Sequence, residues 1–178
     1  RPTGGARLAL TQKLGSAADM SLGASGMYGT YDTQNKLTYA ILGGDLSFRI
    51  DRTSLRFEYL VRRTEMSTAV PSAFKYALAT TDGDFFVKHG AYAELEQPLT
   101  RVLDFIARVD GMYRVGNVAS GSELSSKSSV TRQTVGAAYA IERNFRIKTS
   151  VEFWQFSDPD STGQRAALSI HLGAVGSF

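Results

Sequence analysis

The chain contains no cysteine, which excludes a disulfide framework and any thiolate metal site. Its two histidines, His89 and His171, are too few for a histidine-built metal centre, and no cofactor is expected. Proline is scarce, with 4 residues in 178, so long stretches keep the N–H groups that a backbone ladder needs. No stretch of roughly 18 apolar residues occurs, and no transmembrane helix is expected. Lys and Arg do not cluster with interleaved aromatics, and the net charge of +3 is modest, so no nucleic-acid partner is expected. The His-Glu-x-x-His, Gly-x-Ser-x-Gly and phosphate-loop patterns are missing. These absences point away from an enzyme.

What is present is alternation. In the last segment Ala166, Leu168, Ile170, Leu172, Ala174, Gly176 and Phe178 share one face, while Ser169, His171 and Ser177 fall on the other. A period of two marks a β-strand. The same pattern predicts strands over 6–14, 20–30, 37–50, 54–63, 85–96, 102–115, 129–141, 145–156 and 165–178. Frequent Gly, Tyr and Phe with no low-complexity tract agree with an all-β, antiparallel, up-and-down fold. In 102–115, for example, Leu103, Phe105, Val109 and Tyr113 oppose Arg108, Asp110 and Arg114.

Several segments are about twice the usual soluble strand length of roughly five or six residues. The connections alternate between short and long, and 64–84 is the longest, an outside loop carrying Met66, Val70, Pro71, Phe74, Tyr76 and Leu78. Long strands, apolar on one face, with alternating short turns and long loops, lead to the expectation of a transmembrane β-barrel over 1–178. The opening Arg1-Pro2-Thr3-Gly4-Gly5 reads like the middle of a loop, as in a processed or incomplete chain.

The closing region resembles bacterial outer-membrane porins of the phosphate-selective type. The resemblance is carried by Ser150-Val151-Glu152-Phe153-Trp154-Gln155-Phe156-Ser157-Asp158 and by His171-Leu172-Gly173-Ala174-Val175-Gly176-Ser177-Phe178. It implies that the chain is the C-terminal part of a larger barrel in a Gram-negative outer membrane. In that family His171, Gly173 and Phe178 would serve as an assembly signal, although Gly176 stands where a larger apolar residue is usual. The implied partners are outer-membrane lipid, the barrel assembly machinery and, by analogy with related porins, further copies of the chain. Nine crossings would leave the first segment with an open edge, so further strands from the same or another chain are expected to complete the wall.

The polar face would then line the lumen through Arg49, Arg56, Glu58, Arg62, Lys88, Glu94, Asp104, Arg108, Asp110, Arg114, Arg132, Arg146, Lys148 and Glu152. In a barrel of about 16 strands these residues would line water, and their positive excess would favour anions during passive diffusion of small hydrophilic solutes. The alternatives are a closed eight-stranded barrel that anchors or scaffolds, with strand 165–178 pairing directly with 20–30, and an outer-membrane hydrolase using Ser and His. In the closed barrel the same charges would cross-link one another and fill the interior.

Overall fold

The computed structural model describes residues 2–66, 84–116, 128–142, 144–157 and 165–176. All nine expected strands are present: β1 (Thr3–Lys13), β2 (Ala18–Thr30), β3 (Thr38–Ile50), β4 (Thr53–Met66), β5 (Asp84–Pro98), β6 (Leu103–Gly116), β7 (Ser128–Glu142), β8 (Phe145–Ser157) and β9 (Ala166–Gly176). They form one antiparallel sheet in chain order. Each strand is hydrogen-bonded to its sequence neighbours, as a meander of hairpins requires.

The registers make the two faces continuous. Leu8 opposes Ala24, Leu22 opposes Leu46, Leu46 opposes Phe57 and Phe57 opposes Ala93. Val109 opposes Ala93 and Gln133, Val135 opposes Val151, and Val151 opposes Ile170. One step along each strand, Arg56, Glu94, Arg108, Thr134, Glu152 and Ser169 form a matching row on the other face. A one-residue slip would exchange the faces, so the alternation disfavours odd slips, and the tight turns select among the rest.

The turns explain where the strands stop. β3 and β4 are joined by Asp51-Arg52 alone, with Asp51 at φ 52°, the left-handed conformation that tight hairpins demand. Arg52 Nη2 donates to Thr100 O at 2.7 Å and ties this turn to the β5–β6 turn. Between β2 and β3 the buried Asp32 carboxylate accepts N–H bonds from Gln34, Lys36 and Leu37 at 3.0, 2.9 and 2.8 Å. Burial alone would raise its pKa, but these three donors hold it below the usual carboxylate range.

The closed barrel does not form. β9 pairs with β8 only, and β1 with β2 only. Among the described residues no strand comes within 8 Å, Cα to Cα, of any strand but its sequence neighbours. The eight-stranded alternative fails equally, because the partners of β2 are β1 and β3. An open sheet encloses no lumen, so the porin resemblance, the channel with its anion preference and the outer-membrane address lose the architecture they required. So do lipid, assembly machinery and further copies as partners, and the expected completing strands are not seen among the described residues, where β1 and β9 are the edges of the sheet. Alternation and strand length determine where strands lie and which face is apolar. Closure depends instead on strand tilt and stagger, which the pattern does not contain. No helix among the described residues is long and apolar enough to cross a membrane, a statement about helices alone.

A single layer buries little. Among the described residues only Leu37, Met66, Phe86 and Ala138 are buried hydrophobic side chains. The apolar face is exposed, with Leu8 at 79% and Leu172 at 80% of full accessibility. Residues 67–83 of the expected 64–84 loop lie outside the described residues; β4 runs on to Met66 and β5 begins at Asp84.

Candidate binding face

The charged residues singled out in the sequence share one face, and the register brings most of them into contact. Arg56 Nη1 lies 2.8 Å from Glu94, and Glu94 lies 3.6 Å from Arg108 Nη1. Arg108 Nε reaches Asp110 at 2.8 Å, and Asp110 meets Arg132 Nη2 at 2.8 Å. Arg132 Nη1 continues to Glu152 at 3.3 Å, and Glu152 lies 3.4 Å from His171 Nε2. Six charged side chains thus alternate in sign across five strands, β4 to β8, and the His171 ring on β9 lies against the last of them. Cross-strand neighbours on one face stand close enough for such pairs to form directly.

Aromatic rings lie against this row. Arg108 stacks over Tyr92 at 4.4 Å and Arg132 over Trp154 at 4.8 Å. Trp154 Nε1 donates to Glu152 at 3.1 Å. Glu58 stands opposite Tyr92 in register; burial and then the Glu58 carboxylate push the Tyr92 pKa up. Burial alone would raise the pKa of Asp110, yet hydrogen bonds from Arg132 and Arg108 hold it below the usual range. The same Asp110 hydrogen bonds raise the pKa of Arg132, so both partners stay charged.

Smaller pairs flank the row. Arg49 is hydrogen-bonded to Asp19 on the neighbouring strand. Arg146 meets Asp104 at 3.2 Å from two strands away, and Arg7 meets Asp45 at 2.8 Å in the same way. Small residues on the intervening strands make these reaches feasible. Ala138 lies opposite Asp104, and Gly23 lies opposite Asp45. A Cβ on Gly23 would fall 2.3 Å from Asp45 Oδ2.

A recess of about 380 Å³ opens over the row between β5 and β9, lined by Arg108, Arg132, Thr134, Lys148, Glu152 and His171, with Gly173 at its edge. Thr134 Oγ1 is buried there without a hydrogen-bond partner. Lys148 has no ion-pair partner among the described residues. Phe178, the third residue of the expected assembly signal, lies outside the described residues.

Arg62, Lys88 and Arg114 behave differently. They stand side by side in register on β4, β5 and β6. Among the described residues none of the three forms an ion pair. Their company is aromatic: Arg62 over Tyr39 at 5.2 Å, and Lys88 and Arg114 over the buried Phe86 at 5.3 and 5.6 Å.

On the apolar face Tyr59 Oη lies 2.6 Å from His89 Nδ1, and His89 stacks on Tyr113 with ring centroids 4.9 Å apart. His89 and His171 therefore stand on opposite faces. No group of three His, Cys, Asp or Glu suited to a metal ion occurs among the described residues.

Alternation places Tyr92 and Trp154 on the charged face, but it does not show their stacking with Arg108 and Arg132 or the place of Phe86 under Lys88 and Arg114. Their signal is an aromatic residue at a charged-face position beside an Arg or Lys in the neighbouring strand. That signal can be read only once the register is known. No family model matches the chain, and neither the curated proteins nor the solved structures contain a match.

Proposed function

We propose that the chain is a non-catalytic framework protein. Its ion-paired face holds long strands in register and presents a rigid, hydrated surface. The observation that carries this reading is the unbroken row Arg56–Glu94–Arg108–Asp110–Arg132–Glu152–His171 across six strands. At its centre, hydrogen bonds from Arg132 and Arg108 hold the Asp110 carboxyl below the usual range, and Asp110 in turn holds the Arg132 proton. Catalytic acids and bases are poised the other way, with carboxyl pKa values raised toward the working pH.

The arrangement closest to a hydrolytic site also argues for a framework. His171 Nε2 lies 3.3 Å from Ser169 Oγ and 3.4 Å from Glu152. In a serine–histidine–acid relay the acid holds one imidazole nitrogen and the serine the other. Here both contact the same nitrogen, while Trp154 Nε1 donates to the serine oxygen at 3.3 Å. The test combines an ester-hydrolysis assay with thermal unfolding. The framework reading expects no turnover above that of Ser169→Ala, and a lowered melting temperature in Arg132→Met. Turnover that disappears in Ser169→Ala would overturn it.

A further inference from the structure

Beside the ion-paired row, three cations stand in register with no acid between them. We propose that Arg62, Lys88 and Arg114 form a binding site for a small aliphatic dicarboxylate.

Three observations meet here. Arg62 opposes Lys88, and Lys88 opposes Arg114, so three cations occupy adjacent strands at one level. Like charges directly opposite one another destabilise a sheet. Their proximity is felt: burial and then the Arg62 and Arg114 charges lower the Lys88 pKa. On the same face the acids Glu58 and Asp110 lie four residues from Arg62 and Arg114, about 13 Å at the strand rise, and Glu65, nearer along β4, is paired with Arg63.

The second observation concerns donors. Arg62 Nε is taken by Thr64 Oγ1 at 3.1 Å, but Arg114 Nε is buried with no acceptor. A buried, unsatisfied donor on a charged group is costly, and a carboxylate oxygen is its natural complement. Arg132, by contrast, has both Nε and Nη2 on Asp110. Arg114 alone of the three therefore keeps unfilled the Nε position that Arg132 fills with Asp110, while Arg62 has only its terminal nitrogens to offer.

The third observation selects the ligand. Neighbouring strands are about 4.8 Å apart, so Arg62 and Arg114 are separated by about 10 Å at the backbone. A single compact oxyanion can be gripped by two such side chains but does not span all three. Two carboxylates on a chain of four to six carbons can take one guanidinium each, with the Lys88 ammonium between them. The next level on the same face is apolar or small, with Leu60 opposing Gly90 and Gly90 opposing Met112. Leu60 and Met112 are exposed at 39% and 43%, a strip against which a methylene spacer can lie. The flat rings of Tyr39 and Phe86 hold the cationic heads in place.

The experiment is calorimetric titration of the full chain with succinate, glutarate and adipate, and separately with acetate and inorganic phosphate. Saturable dicarboxylate binding that weakens with salt is expected, tighter than for acetate or phosphate. Lys88→Gln and Arg114→Gln should each weaken it by about tenfold or more, the loss of one charge-assisted contact. Lys88→Arg, which keeps the charge and reports on folding, should stay within about threefold. Arg146→Gln, from the pair with Asp104, should bind like the parent chain. No saturable binding, phosphate or acetate binding as tightly as the dicarboxylates, or equal weakening by Arg146→Gln would each overturn the proposal.

Discussion

Replacing Arg132 by Met removes the hub of the charged face while keeping an unbranched apolar stem. Arg132 makes three contacts to Asp110, at 2.8, 3.1 and 3.1 Å, and one to Glu152 at 3.3 Å, and it covers the Trp154 ring. Hydrogen bonds to charged groups contribute about 1.5–3 kcal/mol each, and exposed ion pairs about 0–1 kcal/mol. Arg132 is 25% exposed, between these limits. Its partners are not stranded by the change, because Asp110 keeps Arg108 and Glu152 keeps Trp154. The net cost is therefore about 2 kcal/mol, which lowers the melting temperature of a chain of this size by about 4–8 °C. The assay is thermal unfolding followed by circular dichroism, with Arg146→Met as the control. Arg146 has one acidic partner and is half exposed, and its loss should cost under about 1 kcal/mol. The pH dependence gives a second reading. The folded-state pKa of Asp110 is lowered, so its contribution is present above the unfolded value near 3.9 and is lost as pH falls through the lower folded value. Without Arg132 that pKa returns toward normal, and the acid-dependent loss shrinks. Equal melting temperatures for the two variants would refute the hub role.

Two glycines on the sheet should respond oppositely to Ala. In Gly136→Ala the new Cβ meets Thr149 O at 2.8 Å, a backbone atom that cannot swing aside, and a loss of about 1–2 kcal/mol is expected by chemical denaturation. In Gly44→Ala the nearest atom is 3.9 Å away, and neutrality or a gain of up to about 1 kcal/mol is expected. Asp32→Ala should speed amide exchange at Gln34, Lys36 and Leu37 while leaving the sheet's central amides protected. Because the Asp32 pKa is lowered in the folded chain, the parent's protection at these amides should persist above about pH 4 and fade as pH drops through the folded value.

The strands and their faces were legible in the sequence because a half-apolar strand writes its period directly into the chain. Leu103, Phe105, Val109 and Tyr113 do face away from Arg108, Asp110 and Arg114. The contacts that organise the charged face were not legible. Arg7 reaches Asp45 over a strand that presents Gly23, and Arg146 reaches Asp104 past Ala138. Such reaches depend on which small residue sits between two charges, and hence on the register set by the turns. Asp51 shows how local that information is, since one residue at positive φ sets the Asp45–Glu58 alignment six steps away. The closed wall inferred from long, one-sidedly apolar strands failed because strand pattern carries no closure condition.

The most direct test of the account is a pair of double-mutant cycles read by equilibrium unfolding, one on Asp110 and Arg132, the other on Arg62 and Lys88. The first pair is hydrogen-bonded and oppositely charged, so its coupling should be favourable by about 1–3 kcal/mol. The second pair is like-charged and in direct register, so its coupling should be unfavourable, by a few tenths of a kcal/mol or more. Opposite signs are the prediction. Vanishing coupling in the first cycle, or the same sign in both, would contradict a face built from one self-neutralised row and one row of unpaired cations.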